Sequence, residues 1–119
     1  MKSFTDIEQS KKLAEILPLE SADMYWWPTS IRYYIDANED DDFNEDEGHI
    51  RAWSLAALLD AIPLEIETHK QSDGYKTYYY VESYMKHIGK DISLSTERHE
   101  NLVDACYEMV FKLKEMDLL

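Results

Sequence analysis

The segment "DANEDDDFNEDEGH", Asp36–His49, decides what kind of fold this chain can have. Read as a twelve-residue loop from Asp36 to Glu47, it nearly matches a calcium-binding EF-hand, which needs a helix on each side. The pattern asks for oxygen ligands at positions 1, 3, 5 and 9, a turn glycine at 6, an apolar residue at 8 and a bidentate glutamate at 12. Asp36, Asn38, Asp40, Phe43, Asn44 and Glu47 meet it, but position 6 is Asp41. The flanks disagree. "WWPTSIRYYI" runs in, with a proline inside an aromatic and β-branched series, and Gly48 directly follows Glu47. No helical signal resumes before Ser54, and there is no second hand to pair with. A dense acidic run also satisfies a loose carboxylate pattern by composition alone. The stretch is therefore read as a solvated acidic surface loop, 36–48, between a strand and a helix. Asp36, Asn38, Asp40, Asp42 and Glu47 are the candidate ligands if it takes a divalent cation. No metal and no other cofactor is expected.

Working outward, helical and extended patterns alternate. "TDIEQSKKLAEILP" places Ile7, Leu13, Ala14, Ile16 and Leu17 on one side at helical spacing. Thr5 with Glu8 reads as a capping box and Pro18 as the stop, which predicts a helix over 6–17. A turn around Glu20–Asp23 leads into extended structure that Pro28 splits or sets at an edge, with a strand over 30–36. In "AWSLAALLDAIP", Ser54 caps a second helix whose apolar residues cover most of its circumference, so it is expected to be well buried. "LEIETHK" and "YKTYYYVESYM" read as strands joined at Asp73-Gly74, a hairpin signal, and "KDISLST" as one more short strand. "HENLVDACYEMVFKLKEMDLL" is the strongest helix, capped by Asn101, with Leu102, Cys106, Met109, Leu113 and Met116 on its buried stripe. The order gives an α+β domain: a small antiparallel sheet of about three or four strands with N-terminal, central and C-terminal helices packed on it.

The 119 residues suit a single domain, 1–119. An apolar fraction of 45% is too high for a disordered chain. The net charge of −13 is concentrated: eight acids and no base lie between Asp36 and Glu47, and the remaining 107 residues carry a net −5. Without clustered Lys and Arg, direct binding to nucleic acid is not expected. An acidic mimic of nucleic acid is a weak alternative, because it needs carboxylates spread over a face. The single Cys106 excludes an internal disulfide and agrees with a reducing cytoplasm. "MKSFTDIEQSKK" lacks the apolar centre of a signal peptide, and no apolar run reaches the ~20 residues of a membrane span. The chain is expected to be cytoplasmic, away from membranes.

No catalytic constellation emerges. His49, His69, His87 and His99 are scattered without metal spacing, and Cys106 has no activating base beside it. There is no phosphate-binding loop, dinucleotide turn or nucleophile elbow. Aromatics are in surplus: Trp26, Trp27, Tyr33, Tyr34, Tyr75, Tyr78, Tyr79, Tyr80 and Tyr84. Strand propensity assigns most of them to the core. In the last long strand Tyr78, Tyr80 and Tyr84 fall on one side, opposite Tyr79 and Val81. They are the candidate partner surface.

Three segments, "FTDIEQSKKLAEILPLESADM", "WSLAALLDAIP" and "NLVDACYEMVFKLKE", together carry a resemblance. The chain resembles a group of small proteins of gut anaerobic bacteria, often encoded in prophage-like or mobile regions, that have no assigned function. The resemblance implies a shared helix–sheet scaffold and an intracellular accessory role. It transfers no activity and no site residue. The expected function is that of a small non-enzymatic protein acting through an unknown protein partner or as a homodimer. Cation binding through the 36–47 loop is the alternative.

Overall fold

The computed structural model describes residues 2–38, 42–63, 65–87 and 89–119, with the side chains at 85–87, 90 and 92 outside that description. Among these residues the chain is an α+β protein with three α-helices and two antiparallel three-stranded sheets. The strands thus divide between two sheets where one small sheet was expected. Contacts group Phe4–Ala61 into one compact unit, and Met1–Ser3 with Ile62–Leu119 into another.

The Phe4–Ala61 unit opens with α1, Ile7–Leu13. Its capping box is reciprocal: Gln9 N donates to Asp6 Oδ1 at 2.8 Å, and Asp6 N donates to Gln9 Oε1 at 3.1 Å. The cap lies one residue beyond the expected Thr5. Thr5 is instead buried in extended backbone, where its N–H donates to Trp53 O at 2.9 Å and its hydroxyl accepts from Trp53 N at 3.0 Å. Tertiary pairing thereby removes Thr5 from the cap. The α-helix is shorter than the expected 6–17, and a hydrogen-bonded turn carries buried Leu17 back to Leu13 before Pro18.

Strands β1 (Met24–Pro28), β2 (Tyr33–Ala37) and β3 (Ile50–Ala52) follow, in the order β2-β1-β3. Pro28 does not sit on an edge strand. It ends the central strand opposite Tyr33. Hydrogen bonds from Asn38 N to Asp23 O and from Thr29 N to Arg32 O fix the alternation of the β1–β2 ladder. Pro28 therefore faces Tyr33 across a non-hydrogen-bonded position, where its missing N–H costs nothing. Ser30 and Ile31 form the turn rather than the strand, because the Thr29 hydroxyl accepts from Ile31 N and Arg32 N. Strand β3 was not anticipated. Three residues are too few to display a periodicity.

Helix α2, Leu55–Ala61, starts at Ser54 as expected, with Ala57 N donating to Ser54 Oγ at 3.2 Å. The Asp23 carboxylate braces that cap, accepting from Ser54 N at 2.9 Å and from the Ser54 hydroxyl. Burial is less complete than expected: Leu58 is buried, Leu55 and Leu59 are half-buried, and Ala56 and Asp60 are exposed. The fully enclosed aromatic of the unit is Trp53, whose indole N–H donates to Ser21 Oγ at 2.9 Å.

The second unit holds β4 (Ile66–Ser72), β5 (Thr77–His87) and β6 (Lys90–Ser95), in sequential order. Asp73 shapes the first turn by accepting from Tyr75 N and Lys76 N at 3.0 and 2.9 Å, and Gly74 supplies a φ of 94° that suits glycine. The expected strand after Lys90 is β6. Helix α3, Leu102–Glu115, is capped by Asn101, whose Oδ1 accepts from Asp104 N at 2.8 Å. It packs on β5. Val103, Ala105, Cys106, Met109, Val110 and Leu113 are buried, as are Val81 and Ser83 of β5. Met116, expected on the same stripe, is exposed at the fraying end.

Candidate functional site

The hairpin register decides which polar groups gather on the β4-β5-β6 sheet. Ser72 pairs with Thr77, so His69 lies opposite Tyr80, Glu67 opposite Glu82 and Gln71 opposite Tyr78. On the other side of β5, Glu82 pairs with Ser95 and Tyr84 with Ser93. Val81 and Ser83 occupy the alternate, buried positions. The period of two therefore leaves Tyr78, Tyr80, Glu82 and Tyr84 together on the opposite face. The three candidate partner-surface tyrosines do share one face. Tyr84 is 49% exposed, and Tyr78 and Tyr80 are half-buried.

That face is more ordered than a row of rings. The His69 imidazole stacks on Tyr80, centroids 4.4 Å apart and planes within 7°. Its Nε2 lies 3.3 Å from Glu82 Oε1 and 3.5 Å from Glu67 Oε2, enclosed yet without a hydrogen-bonding geometry to either. Glu67 and Glu82 face each other directly across the ladder, a like-charge pairing that destabilises a sheet unless something neutralises it. Among the described side chains no Lys or Arg forms an ion pair with either. The Tyr84 hydroxyl donates to Glu82 Oε2 at 2.6 Å. That bond, ahead of partial desolvation and the Glu82 charge, pushes the Tyr84 phenol up to about 12. Beside these groups runs a shallow groove of about 510 Å³, lined by Gln71, Tyr80, Ser95, Thr96, Glu97 and Arg98.

The groove floor is held by side-chain bonds. Thr96 N donates to Val81 O at 2.9 Å, and the Thr96 hydroxyl accepts from Val81 N at 3.0 Å. Tyr79 and His99 then exchange backbone hydrogen bonds of 2.7 and 2.8 Å. The Glu108 carboxylate ties this run to α3, pairing with His99 Nε2 at 2.8 Å and accepting from Glu97 N at 3.1 and 3.2 Å. His99 is thus a bracing residue.

The acidic loop is a different object. Asp36 lies in strand β2, and its carboxylate accepts from the neighbouring Ala37 N at 2.9 Å. Asn38 follows the end of that strand and Asp42 is exposed. Glu47 closes a single 3-10 turn, Glu45–Glu47, and Gly48 follows at a φ of 81°, where an added Cβ would crowd the Pro28 ring at 3.2 Å. Asp40 lies outside the described residues. A strand leads in and a 3-10 turn leads out, so the helices of an EF-hand do not flank the loop. Among the described residues no group of three or more His, Cys, Asp or Glu side chains is gathered to hold a metal.

What anchors the loop is Phe43. Tyr25 stacks on His49 at 4.9 Å, Phe43 meets both rings edge-on at 6.3 and 6.0 Å, and the Arg51 guanidinium lies 4.1 Å over Phe43. Asn44 N donates to His49 Nδ1 at 3.0 Å. A cavity of about 320 Å³ adjoins this cluster, lined by Lys11, Leu19, Phe43, His49 and Arg51 among others. Burial, followed by the charges of Asp36 and Asp42, raises the Tyr25 phenol above its ordinary value.

The expected core role of most of the nine surplus aromatics needs correction. None is fully buried: Tyr33, Tyr34, Tyr75 and Tyr84 are exposed, and Trp26, Trp27, Tyr78, Tyr79 and Tyr80 are half-buried. The enclosed aromatics are Tyr25 and Trp53. Sheets with one open face leave such residues at the surface. Cys106 is buried, and desolvation pushes its thiol up to about 12, which removes it as a nucleophile at neutral pH. The side chain of His87 lies outside the described residues. Sequence reasoning missed Glu67, His69 and Glu82. Their signal lay in the Asp73-Gly74 turn, which sets the register that brings them together. No protein-family model, curated protein or solved structure matches the chain. Among the described residues no helix is long and apolar enough to cross a membrane.

Proposed function

We propose that this is a non-enzymatic, cytoplasmic accessory protein that binds another protein on the Tyr78/Tyr80/Tyr84 face of the β4-β5-β6 sheet. The observation that carries the reading is the Glu67–Glu82 pair set directly opposite each other beside the exposed Tyr84 and the half-buried Tyr78 and Tyr80. Two carboxylates that, among the described side chains, have only His69 between them favour a cation delivered by a partner. A Lys or Arg side chain fits, since it takes the carboxylates as acceptors and a ring face as a cation–π platform. Tyr80, already stacked on His69, supplies a rigid anchor of the kind that dominates interface energies. The buried thiol Cys106 agrees with a reducing compartment.

The test is capture from the native host with tagged wild-type chain, Tyr80→Ala and Glu67→Gln/Glu82→Gln. The reading expects a partner that wild type retains. Truncating one anchor costs about 2 kcal/mol or more, so each variant should weaken capture at least about tenfold. Equal retention of the same partner by all three proteins would refute the assignment to this face. Neutralising Glu45, Asp46 and Glu47 to amides should leave capture intact. Loss of capture there would favour the acidic-loop reading.

A further inference from the structure

We propose that a second copy of the chain pairs with the open edge of β2, antiparallel and two-fold symmetric about Tyr34. This rests on a different surface from the proposed function and goes beyond it. Strand β2 is an edge strand of the β2-β1-β3 sheet, and it is open on both faces: Tyr33, Tyr34, Asp36 and Ala37 are exposed and only Ile35 is half-buried. Ile31, just before it, is 89% exposed. Natural edge strands are blunted by lysines, prolines, bulges or a cover, because an unpaired row of N–H and C=O groups recruits another strand. "YYIDA" contains no lysine, proline or glycine.

The direction of the free groups follows from the ladder already described. Arg32 and Asn38 bond to Thr29 and Asp23, the residues on either side of β1, so by alternation Tyr34 and Asp36 also turn their backbone groups inward. Tyr33, Ile35 and Ala37 turn theirs to the open edge. A second β2 can therefore bond only where outward residues face outward residues. That requirement allows several registers, and side-chain charge separates them. With the axis at Tyr34, Tyr33 of each copy exchanges both backbone bonds with Ile35 of the other. Arg32 then lies opposite Asp36 of the second copy, twice by symmetry, at non-hydrogen-bonded positions where side chains approach closest. The alternate face sets Tyr33 against Ile35 and Ile31 against Ala37, a continuous apolar strip. Shifting the axis by one residue places Arg32 against Tyr34 or Asn38 and loses both charge pairs. The strand is self-complementary in one register, as an isologous interface must be. Before pairing, Arg32 rests over its own Tyr34 ring at 4.7 Å, and the Asp36 carboxylate closes the outward Ala37 N–H. Both groups sit on the face where the partner charge arrives.

The experiment is sedimentation equilibrium across a concentration series at low and high salt, with wild type, Arg32→Glu, Asp36→Arg and the swap Arg32→Asp/Asp36→Arg. Wild type should dimerise reversibly and less tightly at high salt. Each single reversal puts like charges opposite each other and should weaken the dimer about tenfold or more, while the swap restores it. These side chains are exposed, and circular dichroism checks that each variant is folded. Hydrogen exchange gives an independent readout: Tyr33 and Ile35 amides gain protection as concentration rises, and Tyr34 does not. A wild-type chain that stays monomeric throughout overturns the proposal. So does a dimer indifferent to the single reversals, which assigns self-association to another surface. A monomer whose Tyr33 and Ile35 amides are protected only by a partner from the host also overturns it, because the edge then serves a heterologous strand. Partner capture on the tyrosine face is unchanged by Arg32→Glu, so the two readings fail separately.

Discussion

The two sheets use the same residue types for different ends. In the β2-β1-β3 sheet, tyrosines and isoleucine lie on an edge whose backbone groups are open, with one base and one acid spaced symmetrically about Tyr34. In the β4-β5-β6 sheet, tyrosines lie on a face, with opposed carboxylates and a histidine among them and α3 covering the other side. The difference teaches that an aromatic surplus has no single meaning. At an edge it accompanies backbone complementarity, which a second copy can satisfy. On a face it accompanies side-chain chemistry, which in the proposed reading a different molecule satisfies.

The comparison assumes that each sheet stands on a core of its own, and core truncations carry the largest expected effects. Trp53→Ala removes a fully buried indole and its bond to Ser21, and should cost about 3–5 kcal/mol in chemical denaturation. Leu113→Ala on the buried side of α3 should cost about 2–5 kcal/mol. A loss well under 1 kcal/mol for either would mean that the enclosed side chain is not part of a packed core. Asp23→Ala removes the carboxylate that braces the Ser54 cap, and should cost about 1 kcal/mol.

Next in size, Tyr80→Ala should cost no more than about 1.5 kcal/mol, because a half-buried ring in one stack contributes little else to folding. Its effect on partner capture should be the larger one. A variant that unfolds would reclassify Tyr80 as core. The smallest effect is on titration. Tyr84 is raised from 10.0 to about 12 by its bond to Glu82. A raised group contributes stability that is present below its ordinary value and lost as pH climbs through the shifted one. Tyrosinate absorbance should therefore show Tyr84 titrating late, in addition to the raised Tyr25, and Glu82→Gln should return the Tyr84 step alone toward 10.0. A titration curve unchanged by Glu82→Gln would remove the Tyr84–Glu82 bond from the description.

Much of the fold was legible because its signals are local. Asn101 and Ser54 cap the helices they were assigned, the stripe of α3 is buried from Val103 to Leu113, and Asp73-Gly74 turns the hairpin. The failures come from competition that a single sequence hides. Thr5 has the chemistry of a cap, yet a long-range pairing with Trp53 claims it and leaves Asp6 to cap α1. Pro28 does split the extended segment, one of its two expected roles, but it ends a central strand rather than marking an edge, because its position there is non-hydrogen-bonded. The acidic loop offered a pattern without the helices that give the pattern meaning, while its real anchor sets Phe43 against His49 and Arg51 just downstream and against Tyr25 on another strand. The tyrosines were correctly placed on one face by alternation. Glu67, His69 and Glu82 joined them only once the register was known.

The claim at the centre of this account is that edge and face act independently, one on a second copy and the other on a partner. The direct measurement is a crossed assay in which Arg32→Glu and Tyr80→Ala are each scored for dimerisation and for partner capture. The account predicts that Arg32→Glu loses the dimer and keeps capture, and that Tyr80→Ala keeps the dimer and loses capture. A single folded variant that loses both, or exchanges the two phenotypes, would contradict it.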